Sequence, residues 1–126
     1  MASASPTERS LLVLVVDDNE VNRLILSRAV EAFGASVRTA GNGQEALDKI
    51  GQEPFNLVFM DIAMPVLDGL EATRQARARG DDVPVVAVTA HYSHGDEPEL
   101  RAAGFNGFIP KPLEIAAVFE HLASVA

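Results

Sequence analysis

Five polar residues of this 126-residue chain stand where apolar runs end. Leu11 to Val16 runs into Asp17 and Asp18, and Leu57 to Met60 into Asp61. Val83 to Val88 runs into Thr89, and Gly107 to Ile109 leads to Lys111. If these runs are strands of one parallel sheet, their carboxyl ends share the edge at which open α/β sheets bind ligands. Adjacent strands lie about 4.8 Å apart, so Asp17, Asp18 and Asp61 on neighbouring strands come within reach of one cation. Carboxylates that close raise one another's pKa unless positive charge intervenes. Mg2+ suits them, because it takes oxygen ligands and keeps several waters. Lys111 adds an ammonium, and Thr89 a hydroxyl donor. The set fits one doubly charged, oxygen-rich group, a phosphoryl on Asp61. Phosphoryl transfer asks mainly for positioning and charge neutralisation, and a carboxylate can be its nucleophile.

The elements that must position these residues read as alternating strands and helices. Leu11–Val16, Ser36–Thr39, Leu57–Met60, Val83–Val88 and Gly107–Ile109 are short runs of strand type. Between them lie helical patterns over Asn19–Phe33, Gln44–Ile50, Gly69–Arg79 and Glu99–Ala103, with a last one over Leu113–Ser124. In the first helix Val21, Leu24, Ile25, Ala29 and Val30 recur at helical spacing. Gly34, Gly80 and Gly104 stand where helices should stop, and Asp68 where the third should be capped. Alternation of this kind implies βαβ units, a parallel sheet and helices on both of its faces.

Bulk properties narrow the classes. The length fits one domain, read here as residues 11–126 behind a leader over residues 1–10 rich in Ser, Ala, Pro and Thr. Without cysteine there is no disulfide, thiol chemistry or cysteine metal site, which suits a reducing, cytoplasmic setting. A net charge of −8 argues against direct nucleic-acid binding. No apolar run reaches the roughly 20 residues that span a bilayer, so no membrane contact is expected.

The motifs carry a resemblance. Val15-Val16-Asp17-Asp18-Asn19, Met60-Asp61-Ile62-Ala63-Met64-Pro65 with Asp68-Gly69, Val88-Thr89-Ala90 and Lys111-Pro112 together resemble the receiver domains of two-component signalling. The resemblance implies a five-stranded, flavodoxin-like (βα)5 fold with strand order 2-1-3-4-5. It implies that Asp61 is the phosphoacceptor, with a histidine kinase or histidine phosphotransfer protein as donor. Asp18, Asp61 and the Ala63 carbonyl would bind Mg2+ (or Mn2+) directly, and Asp17 through water. Lys111 and Thr89 would hold the phosphoryl group, and Thr89 with Phe108 would form the switch. Donor docking would use Asn19, Asn22 and Leu24. The output would be a change in the surface of the fourth helix, fifth strand and last helix, or transfer onward to a phosphotransfer protein. A homodimer is a further possible partner. Such a domain is not an enzyme on a separate substrate, although it catalyses its own phosphorylation and dephosphorylation. The Asp17-Asp18-Asn19 opening with Asn22, and the run from Met64 to Thr73, resemble receivers fused to hybrid histidine kinases. The resemblance also implies a cis bond at Lys111-Pro112.

Plainer readings stand beside these. Asp17 and Asp18 could cap the first helix, Asp61 could be a loop residue, and Phe108 could be core. His91 and His94 have a ligand-like spacing without an evident third ligand. His121 reads as a surface residue. A haloacid-dehalogenase-like phosphatase would need Asp-x-Asp after the first strand, where Asp17-Asp18-Asn19 stands. A flavin binder of flavodoxin type would need a Ser/Thr/Gly-rich loop there. A receiver-fold module that is never phosphorylated would have little use for all five site residues. Ala63 and His91 occupy positions that tune aspartyl-phosphate hydrolysis in the family, and Ala63 offers no polar side chain, so His91 is expected to set the lifetime. Pro98 is tolerated only in a first turn, so a short, mobile fourth helix beginning near Asp96 or Glu97 is expected.

Overall fold

The computed structural model describes residues 11–64, 66–90 and 97–126. The expected leader, Pro65, His91, His94 and Asp96 lie outside these residues. The strands are β1 (Leu12–Val16), β2 (Ser36–Ala40), β3 (Leu57–Asp61), β4 (Val85–Thr89) and β5 (Gly107–Pro110). The helices are α1 (Glu20–Phe33), α2 (Gly43–Gln52), α3 (Gly69–Ala78), α4 (Glu97–Ala103) and α5 (Ile115–Val125). All strand pairs are parallel, in the order β2-β1-β3-β4-β5 expected from the resemblance.

The sheet is buried on both faces. Leu14, Val16, Val58, Met60 and Ala87 pack on one side against Ala46 and Leu47 of α2, Ala72 and Ala76 of α3, and Leu100 and Ala103 of α4. Val13, Val15, Phe59, Val86 and Val88 pack on the other against Leu26, Ala29 and Val30 of α1 and Val118 and Leu122 of α5. The near-continuous apolar runs of β1, β3 and β4 follow from this double burial.

Local chemistry sets the ends. Asn19, Asn42 and Asp68 cap α1, α2 and α3, each accepting the N–H three residues on. Gly34, Gly80 and Gly104 take φ of 109°, 87° and 111° behind α1, α3 and α4, the left-handed conformation that favours glycine. Pro98 sits in the first turn of α4, where no N–H is needed. None of the described helices is long and apolar enough to cross a membrane.

Several expectations change. Asp61 and Thr89 belong to their strands rather than following them. α2 begins at Gly43 and continues through Gly51 to Gln52. Val21, Leu24 and Ile25 do not join the core face of α1; they are 63%, 53% and 48% exposed, because Leu26, Ala29 and Val30 form the stripe that meets the sheet. His121 is half-buried rather than superficial. Its ring lies over Gly107 so closely that a Cβ there would stand 2.7 Å from His121 Cε1. Burial lowers the His121 pKa, with Glu120 opposing.

Candidate functional site

The chain leaves β1 toward β2 on one side and returns through β3 on the other. The crevice between β1 and β3 is therefore the switch point of the sheet. Val16 pairs with Met60, so Asp17 and Asp61 stand side by side at its mouth. The backbone ladder continues into the site. Asp17 N–H donates to Ala40 O at 3.1 Å, Ile62 N–H to Val88 O at 3.3 Å, and Lys111 N–H to Thr89 O at 2.9 Å. Each polar side chain is thus held by the last rungs of a buried sheet, as an active constellation on rigid elements requires.

Carboxylate oxygens of Asp17, Asp18 and Asp61 all lie within 4.8 Å of one another. Asp17 and Asp61 are 3% and 5% exposed, whereas Asp18 is exposed. Lys111 Nζ stands 3.3 Å from Asp17 Oδ2 and 3.5 Å from Asp61 Oδ2. Asp17 Oδ1 accepts the Asn19 N–H at 2.9 Å, and Asp61 Oδ1 the Ala63 N–H at 3.2 Å. The capping reading of Asp17 and Asp18 therefore fails, since Asn19 caps α1 and Asp17 braces Asn19.

The Asp61 carboxyl is raised to about 6 from an ordinary 3.8. Burial is the largest cause and the Asp17 charge the second, while Lys111 and the Ala63 N–H oppose them. The sequence argued from like charge alone, so the structure reorders the causes. A buried, proton-prone carboxylate beside two others fits a divalent cation, whose charge would hold all three ionised.

Thr89 is buried at the end of β4, one strand from Asp61. Phe108 is half-buried against the α2–α4 side of the core, with Arg101 over its ring. Lys111–Pro112 is cis. Ala63 is exposed, two residues from Asp61, and His91 lies outside the described residues. Asn19 and Leu24 are exposed and Asn22 half-buried on the first turns of α1. Asn22 and Ile25 line a hollow of about 230 Å³ with Lys111, Pro112 and Leu113, beside the carboxylates. A larger hollow, about 370 Å³, lies at the amino ends of β3 and β4, where Glu53, Asp81 and Asp82 would repel an anion.

Two backbone features of the β3–α3 connection need the fold to be seen. Gly69 passes so close to Asp61 that a Cβ would strike the Asp61 carbonyl oxygen. Its N–H donates to Ile62 O at 2.9 Å. The Asp68-Gly69 pair belongs to the motif set, and this close approach is its steric reason. Val66, five residues after Asp61 on the β3–α3 connection, adopts φ 71° at 82% exposure. A β-branched residue is a rare occupant of that conformation.

Comparison with known proteins follows the same lines. The family model described as the response regulator receiver domain matches residues 13–123. The response regulator MprA of Mycolicibacterium vanbaalenii is 37% identical over 113 residues, covering 90% of this chain and 49% of its own. The chain thus spans about half the length of that relative. The receiver domain of a Pseudomonas aeruginosa PAO1 sensor histidine kinase superposes with a TM-score of 0.83 at 32% identity, covering 91% of this chain and 96% of its own. That receiver was solved with a magnesium ion coordinated in its active site cleft. A complex of the Saccharomyces cerevisiae histidine phosphotransfer protein Ypd1 with the receiver domain of its downstream response regulator Ssk1 matches with a TM-score of 0.84 at 30% identity, covering 93% and 89%.

Proposed function

The chain belongs to the response regulator receiver domain family, and on that premise we propose that its Asp61 accepts a phosphoryl group from a phosphohistidine with a divalent cation bound. The observation that carries the proposal is the meeting of Asp61 with Asp17, Asp18 and Lys111 at one buried sheet edge.

Asp18, Asp61 and the Ala63 carbonyl are the proposed direct ligands of Mg2+, which supplies charge neutralisation for the phosphoryl oxygens; Mn2+ suits the same oxygens. Asp17 acts at one remove. Its oxygens meet the Asn19 N–H at 2.9 Å and Lys111 at 3.3 Å, each nearer than the matching partner of Asp61, at 3.2 and 3.5 Å. In the transfer, an Asp61 carboxylate oxygen bonds to phosphorus. The phosphorus–nitrogen bond of the donor breaks, and its electron pair stays on the imidazole nitrogen. Lys111 pairs with one phosphoryl oxygen, and the Thr89 hydroxyl donates to another.

The donor is a histidine kinase or a histidine phosphotransfer protein, docked over Asn19, Asn22 and Leu24. Exposed Val21 and Ile25 enlarge that surface, and the hollow at Pro112 and Leu113 joins it to Lys111. The net charge of −8 favours a donor with a basic rim and disfavours nucleic acid. We place the reaction in the cytoplasm. Once Asp61 is phosphorylated, Thr89 and Phe108 shift toward the group and change the surface of α4, β5 and α5, a two-state shift driven by contacts only the phosphorylated form makes. The same aspartyl-phosphate can pass its phosphoryl onward to a phosphotransfer histidine.

Incubation with a phosphorylated histidine phosphotransfer protein and Mg2+ tests the proposal. Label should move to the native chain and not to Asp61→Asn, and Leu24→Asp should slow the movement while leaving phosphorylation by a small donor intact. Label retained by Asp61→Asn would place the acceptor elsewhere.

A further inference from the structure

The Arg101 guanidinium lies over the Phe108 ring, 5.0 Å from its centroid. Arg101 is itself held in place. Its Nη2 and Nε stand 3.1 and 3.2 Å from Glu97 Oε1, one turn earlier on α4. The carboxyl end of α4 is fixed in turn by Arg77 of α3, whose Nη2 and Nε donate to Gly104 O at 2.7 and 3.1 Å. The cation over Phe108 is therefore mounted on an anchored helix.

The register supplies the other half of the argument. Phe108 stands opposite Ala87, which faces the α2–α4 side of the sheet. Thr89, two residues beyond Ala87, faces the same side, because side chains alternate along a strand. On β4, Ala87 stands beside Phe108, and Thr89 lies two residues farther along the same face. The ring thus carries a cation from α4 and shares its face of the sheet with Thr89.

We infer that Arg101 is a positioning residue, whose guanidinium holds Phe108 against α4 and so sets how much of the protein already has Phe108 turned toward Thr89. The inference rests on the proposed switch role of Phe108 and names what regulates it. A contact made only in the resting form opposes every ligand that favours the other form, by the same factor. A cation over an aromatic face at an exposed position corresponds to a factor of about two to five.

Titration with beryllofluoride and Mg2+ tests this in the native chain, Arg101→Gln, Phe108→Leu and the double variant. Arg101→Gln should bind beryllofluoride about two- to five-fold more tightly than native. Loss of a nearby positive charge acting directly on an anion would weaken binding, so the sign is diagnostic. In the Phe108→Leu background the same change should have no effect, because the ring it acts through is gone. Unchanged or weaker binding by Arg101→Gln overturns the inference, as does an equal gain in both backgrounds. A native chain that ignores beryllofluoride removes the phosphoacceptor reading and this inference together. A native chain that responds, beside an Arg101→Gln that matches it, removes the inference alone.

Discussion

Lys111 Nζ stands 3.3 Å from Asp17 Oδ2, although 94 residues separate them in sequence. The same ammonium lies 3.5 Å from Asp61 Oδ2 and opposes the rise of the Asp61 pKa. Lys111→Met should therefore push the Asp61 carboxyl above its value of about 6 in metal-free protein. A carboxyl carbon NMR titration reads this directly. A midpoint unmoved from native would show that Lys111 does not set the charge state of the site.

The same shift makes metal-free stability depend on pH. Asp61 titrates near 6 when folded and near 3.8 when exposed, so between those values the native state binds the proton and the unfolded state releases it. Stability should fall as pH rises from about 4 to about 6, by at most roughly 3 kcal/mol from this group. Mg2+ should restore it, and should bind more tightly as pH rises through about 6, because the proton competes for Asp61. Urea unfolding at about pH 5 and about pH 7.5, with and without Mg2+, checks both signs. Mg2+ that stabilises equally at both pH values would contradict competition at Asp61.

Asp61→Asn removes the ionised form that burial and Asp17 disfavour. At neutral pH without metal it should be more stable than native by about 1–3 kcal/mol. It should also lose most of the stabilisation by Mg2+. Thermal unfolding of the two proteins, each with and without the cation, gives the comparison; a destabilised Asp61→Asn would speak against the electrostatic account.

Val66 holds a positive φ that costs a β-branched residue about 1–3 kcal/mol. Asn tolerates that conformation far better. Val66→Asn should raise stability by about 1 kcal/mol in urea unfolding, with no loss of metal binding. A fall in stability would mean that Val66 is held by packing worth more than the strain.

Decay of the aspartyl-phosphate should respond to His91, the polar member of the pair Ala63 and His91. His91→Ala should change the rate several-fold in a single-turnover dephosphorylation assay. An unchanged rate would leave His91 without that role.

Much of this was legible in the sequence, for a physical reason. Parallel strands buried on both faces are nearly pure apolar runs, so a polar residue at their carboxyl ends stands out, and the ladder of a parallel sheet gathers those ends at one edge. Asp17, Asp18, Asp61, Thr89 and Lys111 were visible on that ground alone. What hid from the sequence needed three-dimensional neighbours. Two apolar stripes run along α1, and only the packing of Leu26, Ala29 and Val30 on the sheet reveals that Val21, Leu24 and Ile25 are exposed. His121 has the spacing of a surface residue, but Gly107 leaves the room it occupies. Nothing in the spacing of Arg101 pairs it with Phe108, which the fold brings beneath its guanidinium. The φ of Val66 leaves no mark in composition or periodicity.

The central claim is that Asp61 is the phosphoacceptor of a cation-assisted site. The most direct measurement is intact-protein mass after incubation with acetyl phosphate and Mg2+, for native chain and Asp61→Asn. The native chain should gain the mass of one phosphoryl group, mapping to Asp61, and should not gain it when a chelator is added before the donor. Asp61→Asn should gain nothing. A native chain that stays unmodified with Mg2+ present, or a variant that is modified equally, would contradict the account.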